Sequence, residues 1–168
     1  MAIKVFISHK KCDSAIAEQI AKELESKKID VYLDTLDNTT TSCRGSKELT
    51  EYLKSKISDS SDILVVMSDA TKKSWWVPFE IGIASDQNKP IVTYLQNEVD
   101  LPEYLDYWPR LRFLSDINIY RAQINYRNRK TMITESRNFS DKRSSISNTQ
   151  GSIDEFYKDL KNALNTNH

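Results

Sequence analysis

Apolar residues along the chain gather into short β-rich runs, and stretches of helical spacing separate them. Lys4 to Ile7 is the first run, and Ser8-His9-Lys10-Lys11-Cys12-Asp13 follows it. Asp13 suits an N-cap. After it Ile16, Ile20 and Leu24 recur at spacing four beside Ala17 and Ala21, which predicts a helix closed by the cations Lys27-Lys28. Ile29 to Asp34 reads as a second strand and Thr35 to Ser46 as a polar loop containing Cys43-Arg44-Gly45. Leu49, Leu53 and Ile57 then mark a second helix. Ile63 to Met67 is a third strand, ended by Ser68-Asp69. The stretch from Ser74 to Ala84 opens a third helix, with Ser74 as N-cap and Pro78 in the first turn, where proline is tolerated. Pro90 to Leu95 is a fourth strand with proline in its first position, where a missing N–H costs least. Leu101 to Arg110 reads as an irregular or short-helical connection and Arg112-Phe113-Leu114 as a weak fifth strand.

Strands alternating with crossovers of about a dozen residues or more predict an α/β fold. It is expected to be a flavodoxin-like, doubly wound, five-stranded parallel sheet with helices on both faces. Asn118 to Gly151 breaks the rhythm, with seven Lys or Arg against two acids and few large aliphatics. It reads as a polar, basic, partly ordered insertion (118–151) within a single domain spanning 1–168. Ser152-Ile153-Asp154-Glu155 makes a capping box, and Ile153, Phe156, Tyr157, Leu160 and Leu164 form the apolar face of a last helix packed back on the sheet.

Composition narrows the function classes. A chain of 168 residues with zero formal net charge has no global field for nucleic acid or anionic membrane. Met1 to Ile7 is too short and too soon polar for a signal peptide, and no apolar run approaches membrane-spanning length. Cys12 and Cys43 lack metal spacing and read as free thiols, so the expected location is cytoplasmic. Three glycines form neither a dinucleotide fingerprint nor a phosphate-binding loop, and two histidines cannot build a His-rich zinc site. No resident cofactor or metal is expected. No sequence-specific nucleic-acid module is present, although the basic insertion could give weak contact.

In an open α/β sheet of this order the ligand crevice lies beyond the carboxyl ends of the first and third strands. Ser8-His9-Lys10-Lys11 leaves the first, Ser68 to Glu80 leaves the third, and Asp34 opens the neighbouring loop. Glu80 stands four residues after Trp76, on the same helical face. A first-turn glutamate is commonly a solvated group favoured by the macrodipole, and a tryptophan is commonly core. The functional alternative is chemistry that needs one carboxylate. In NAD the ribose–nicotinamide bond already has a cationic leaving group that departs neutral. No general acid is then required, and one carboxylate can bind ribose hydroxyls and stabilise an oxocarbenium-like transition state. Ordinary glycosidases need two.

Lys4-Val5-Phe6-Ile7-Ser8-His9 with Asp13, Val31-Tyr32-Leu33-Asp34, the polar loop with Gly45, Ile57 to Ser68, and Ser74-Trp75-Trp76-Val77-Pro78-Phe79-Glu80 together resemble a TIR (Toll/interleukin-1 receptor) domain. The resemblance covers roughly residues 2–116, with the last helix standing for the family's final one. It implies a flavodoxin-like fold and, in the catalytic branch, cleavage of NAD to nicotinamide and ADP-ribose or a cyclic relative. Glu80 would be catalytic, in a W-x-x-x-E-like element running from Trp76. Phe6, Ser8 and His9 would line the NAD pocket, and the loop from Asp34 would close over it. Ser68 and Trp76 join them, and Lys10 and Lys11 would face the diphosphate. His9 equally fits a structural loop role, whereas for Lys10 and Lys11 a solvated loop position is the commoner one and the diphosphate contact does not follow from the resemblance.

A free-standing TIR domain is similar to bacterial examples, including NAD-using proteins of Thoeris-like anti-phage systems. There the product is a nucleotide messenger for a separate effector. Self-association through TIR–TIR contacts is implied as well. The alternative is a non-catalytic TIR scaffold, or a mimic of eukaryotic adaptors, acting through Thr35 to Ser46. A nucleoside-transferring enzyme of related fold is a third, weaker possibility. The insertion has no counterpart in the family, so no role transfers to it.

Overall fold

In the computed structural model, described over residues 3–33, 46–97, 99–101, 103–137 and 145–167, five parallel strands form one sheet. They are β1 (Lys4–Ser8), β2 (Asp30–Leu33), β3 (Asp62–Met67), β4 (Ile91–Leu95) and β5 (Arg110–Leu111). Their order is β2-β1-β3-β4-β5, so the winding reverses between β1 and β3. In that seam Val5 pairs with Asp62 and Ser8 with Val65, which brings both carboxyl ends to one edge. Every residue of β3 and β4 is buried, as central parallel strands covered on both faces require.

The helices are α1 (Ser14–Ser26), α2 (Ser46–Ser58), α3 (Trp76–Asp86), α4 (Asp116–Arg137) and α5 (Ser145–Thr166). Alternate strand residues point to opposite faces and divide the core in two. Val5, Ile7, Leu64, Val66 and Val92 pack against α1, α4 and α5. Phe6, Ile63, Val65, Met67 and Ile91 pack against α2 and α3 through Leu49, Leu53, Ile57, Val77, Ile81 and Ala84. The expected doubly wound α/β architecture is therefore the observed one.

Several local expectations are corrected. The first part of the expected 118–151 insertion belongs to one continuous helix, Asp116–Arg137, and residues 138–144 lie outside the described residues. The buried stripe of that helix is Ile117, Tyr120 and Ile124, continued one turn later by Arg127. The Arg127 guanidinium lies 4.6 Å from the Phe156 ring centre and donates to Asp62 Oδ2 at 2.7 Å, so an ion-paired arginine holds a place where an apolar residue is usual. The last helix begins at Ser145, which leaves Ser152 to Glu155 inside it and not at its cap. The fifth strand is Arg110–Leu111, two residues earlier than expected, because Thr93 and Tyr94 pair there; Phe113 and Leu114 are exposed in the following turn. Asp34, Cys43, Arg44 and the loop to 45 lie outside the described residues.

Candidate active site

The winding of the sheet brings Ser8, the last residue of β1, against α3. Ser8 shares the inward face of Phe6, toward α2 and α3, because side chains two residues apart along a strand point the same way. Helix α3 starts at Trp76, one residue later than an N-cap at Ser74 would give, although Ser74 Oγ accepts the Val77 N–H at 3.4 Å. Val77, Ile81 and Ala84 press the helix onto the sheet and so fix its rotation. That rotation turns Glu80 inward, where it is 1% exposed and its Oε2 accepts a hydrogen bond from the Ser8 hydroxyl. The bland reading of Glu80 as a solvated first-turn group is thereby removed.

Trp76 is half-buried near the same core and meets Phe79 edge-on, with ring centres 5.8 Å apart. Its neighbour Trp75 is 92% exposed, so the two indoles serve different surroundings. Phe6 is fully buried and stacks on Tyr32 at 5.2 Å, which forms the apolar floor below Ser8.

His9 is buried and engaged locally. Ser14 Oγ donates its single hydrogen to Lys11 O at 2.8 Å, so His9 Nε2, 3.1 Å from that oxygen, is the donor between them. Lys10 Nζ donates to Ala70 O at 3.2 Å, joining the β1–α1 and β3–α3 connections. Ser68 is buried and donates to Asp13 Oδ2 at 2.7 Å. Asp13 does not cap α1 with its side chain, contrary to its expected local role. Asp13 and Thr71 are thus parts of the site that sequence reasoning missed. A hydrogen bond between residues 55 apart leaves no trace in local spacing.

A cleft of about 250 Å³ opens beside α3, lined by Thr71 and, among its apolar walls, by Met67, Val77, Ile81, Leu101 and Leu105. Neither Glu80 nor Ser8 lines it, so its size has no bearing on the carboxylate. Among the described residues no cluster of three or more His, Cys, Asp or Glu is arranged to hold a metal ion. Among them, too, no helix is long and apolar enough to cross a membrane.

A family model described as TIR domain matches residues 5–129. Among solved structures, the TIR domain of the Toll-related receptor TRR-2 from Hydra magnipapillata aligns with a TM-score of 0.57 at 19% identity. The alignment covers 74% of this chain and 95% of that one. The TIR domains of the activated Roq1 resistosome that recognises the pathogen effector XopQ align at 14% identity and a TM-score of 0.45, over 98% and 84% of the two chains. No curated protein matches the sequence significantly. A family match over most of the chain agrees with the strand order and the solved TIR fold, and by these the chain belongs to the TIR domain family.

Proposed function

We propose that this TIR domain is an NAD nucleosidase that cleaves the nicotinamide–ribose bond, with Glu80 as the catalytic carboxylate. One observation carries the reading: the Glu80 carboxylate is withdrawn from water and held by the Ser8 hydroxyl at the switch point of the sheet. An open sheet of this order receives ligands there. In a low-dielectric setting a fixed negative charge stabilises a developing oxocarbenium ion far better than a solvated one would.

The reaction balances without a general acid. The C1′–N bond breaks heterolytically, and its electron pair goes to nicotinamide, which leaves neutral. The ribosyl cation is captured by water, giving ADP-ribose and a proton, or by a nucleophile of the same molecule, giving a cyclic isomer. Glu80 holds the ribose hydroxyls and faces the developing positive charge. In this reading His9, Lys10, Ser68 and Trp76 line the crevice, and Phe6 is packed in the core behind Ser8. Self-association of TIR domains is the expected trigger, and a messenger read by a separate effector in cytoplasmic anti-phage defence is the expected context.

The test is nicotinamide release by purified protein incubated with NAD, dilute and under crowding that promotes association, with mass-resolved products. Release that disappears in Glu80→Gln is expected. Absence of release in both conditions, or undiminished release by the variant, would refute the assignment.

A further inference from the structure

Resting on that reading of Glu80, we propose that Asp13 is a positioning residue for it, tying the connection that follows Ser8 to the one that leads into the helix of Glu80. Asp13 is 4% exposed at the end of the β1–α1 connection, five residues after Ser8. Its Oδ2 accepts from Ser68 Oγ at 2.7 Å and from Thr71 Oγ1 at 3.1 Å, both in the β3–α3 connection. The Ser8–Glu80 hydrogen bond joins the same two segments further along. The two ties close a ring: Ser8 to Asp13 on one side, Ser68 to Glu80 on the other. Lys10 adds a third rung at the rim through Ala70 O.

The hydroxyls of this network have local partners besides Asp13. Ser68 Oγ accepts from the N–H groups of Ala70 and Thr71, and Thr71 Oγ1 accepts from the Ser68 N–H at 3.1 Å. Thr71 Oγ1 can also donate to Val66 O at 3.2 Å, and Ser68 Oγ can donate to Thr71 Oγ1 at 3.1 Å. Without Asp13 every one of these local bonds survives, and both hydroxyl hydrogens keep an acceptor. What is lost is the tie to the β1–α1 connection. The turn is left to set the start of α3 by its own geometry, and Glu80 sits only four residues past that start. A displacement of about 1 Å at a reacting group can cost about a hundredfold in rate.

The test compares Asp13→Ala, Asp13→Asn and the pair Ser68→Ala with Thr71→Val, in the full chain. In NAD turnover, Asp13→Ala is expected to lower kcat about 10- to 100-fold with KM within about twofold. Asp13→Asn keeps an acceptor oxygen in place and is expected to recover most of that loss. The Ser68/Thr71 pair should reproduce the loss, and adding Asp13→Ala to it should cost little more. Hydrogen exchange by mass spectrometry reads the same tie without turnover: exchange should rise in residues 68–80 and stay unchanged in 152–166. Wild-type kcat in Asp13→Ala, no recovery by Asp13→Asn, or exchange that is unchanged or raised throughout would overturn the proposal. Should Asp13→Ala not fold, the Ser68/Thr71 pair answers from the other side. If the wild type never releases nicotinamide, the assignment to Glu80 fails, and the exchange measurement still decides whether Asp13 fixes this segment.

Discussion

The Ser8 hydroxyl donates to Glu80 Oε2, linking the last residue of β1 to the second turn of α3 across 72 positions of sequence. A hydrogen bond to a charged group contributes about 1.5–3 kcal/mol, and here it also fixes the direction of the carboxylate. Ser8→Ala is therefore expected to lower kcat/KM for NAD cleavage by about tenfold to a hundredfold. The thermal midpoint should fall by roughly 3–12 °C as well, because the buried carboxylate loses that donor. Steady-state nicotinamide release against a melting curve separates the two effects. Equal activity in Ser8→Ala would mean that the contact orients nothing the reaction uses.

Asp62 and Arg127 form the most deeply buried ion pair among the described residues, with side chains 0% and 14% exposed. Removing one partner of such a pair costs about 3–5 kcal/mol, because the other charge stays buried and unmatched. Arg127→Met should thus lower the thermal midpoint by roughly 10 °C. Asp62→Leu added to it should return most of that, since Ser61 Oγ can turn to Lys4 O at 3.1 Å. A double variant no more stable than Arg127→Met alone would show that the pair is needed for more than neutralisation.

Much of this architecture can be read from the residues, for reasons that also explain the misses. The strands are continuous apolar runs, because a parallel sheet covered on both faces demands them, and β3 is the plainest case. Trp76 and Glu80 stand at helical spacing and so announce a shared face. Helix α4 escapes notice because Arg127 interrupts the apolar stripe, and what allows it there, Asp62, lies 65 residues earlier. Asp13 misleads in the same way: a good capping residue by local rules, its carboxylate is spent on Ser68 and Thr71. Local periodicity reports what a residue does for its own element, and both of these side chains serve another.

The adjacent indoles should behave oppositely. Trp75 is 92% exposed, so Trp75→Ala is expected to change stability by less than about 0.5 kcal/mol. It should also remove most of the fluorescence that acrylamide quenches. Trp76 is partly packed against the α2–α3 core, and Trp76→Ala should cost about 1–2 kcal/mol, below the range for a fully buried ring. Comparable melting temperatures for the two variants would contradict this division.

Tyr120 is fully buried, and its hydroxyl has no hydrogen-bond partner among the described residues. Burial, reinforced by the Asp62 charge, pushes its phenol well above the usual value. Tyr157 is likewise raised by burial, against the opposing hydrogen bond from the Ile91 N–H. In the unfolded chain both phenols ionise near their ordinary pKa of about 10, while the folded protein keeps its protons. Stability from these groups is therefore complete below about pH 10 and is lost as pH rises above it, by roughly 1.4 kcal/mol per unit for each group. Tyr120→Phe should remove one such contribution, so the alkaline decline in melting temperature becomes shallower by roughly 3–5 °C per pH unit. At neutral pH the variant should be as stable as the wild type or up to about 1 kcal/mol more so, since the phenylalanine buries no unmatched hydroxyl. Melting curves by circular dichroism on either side of about pH 10 measure both effects. Parallel declines for the two proteins would show that the Tyr120 proton is not held by the fold.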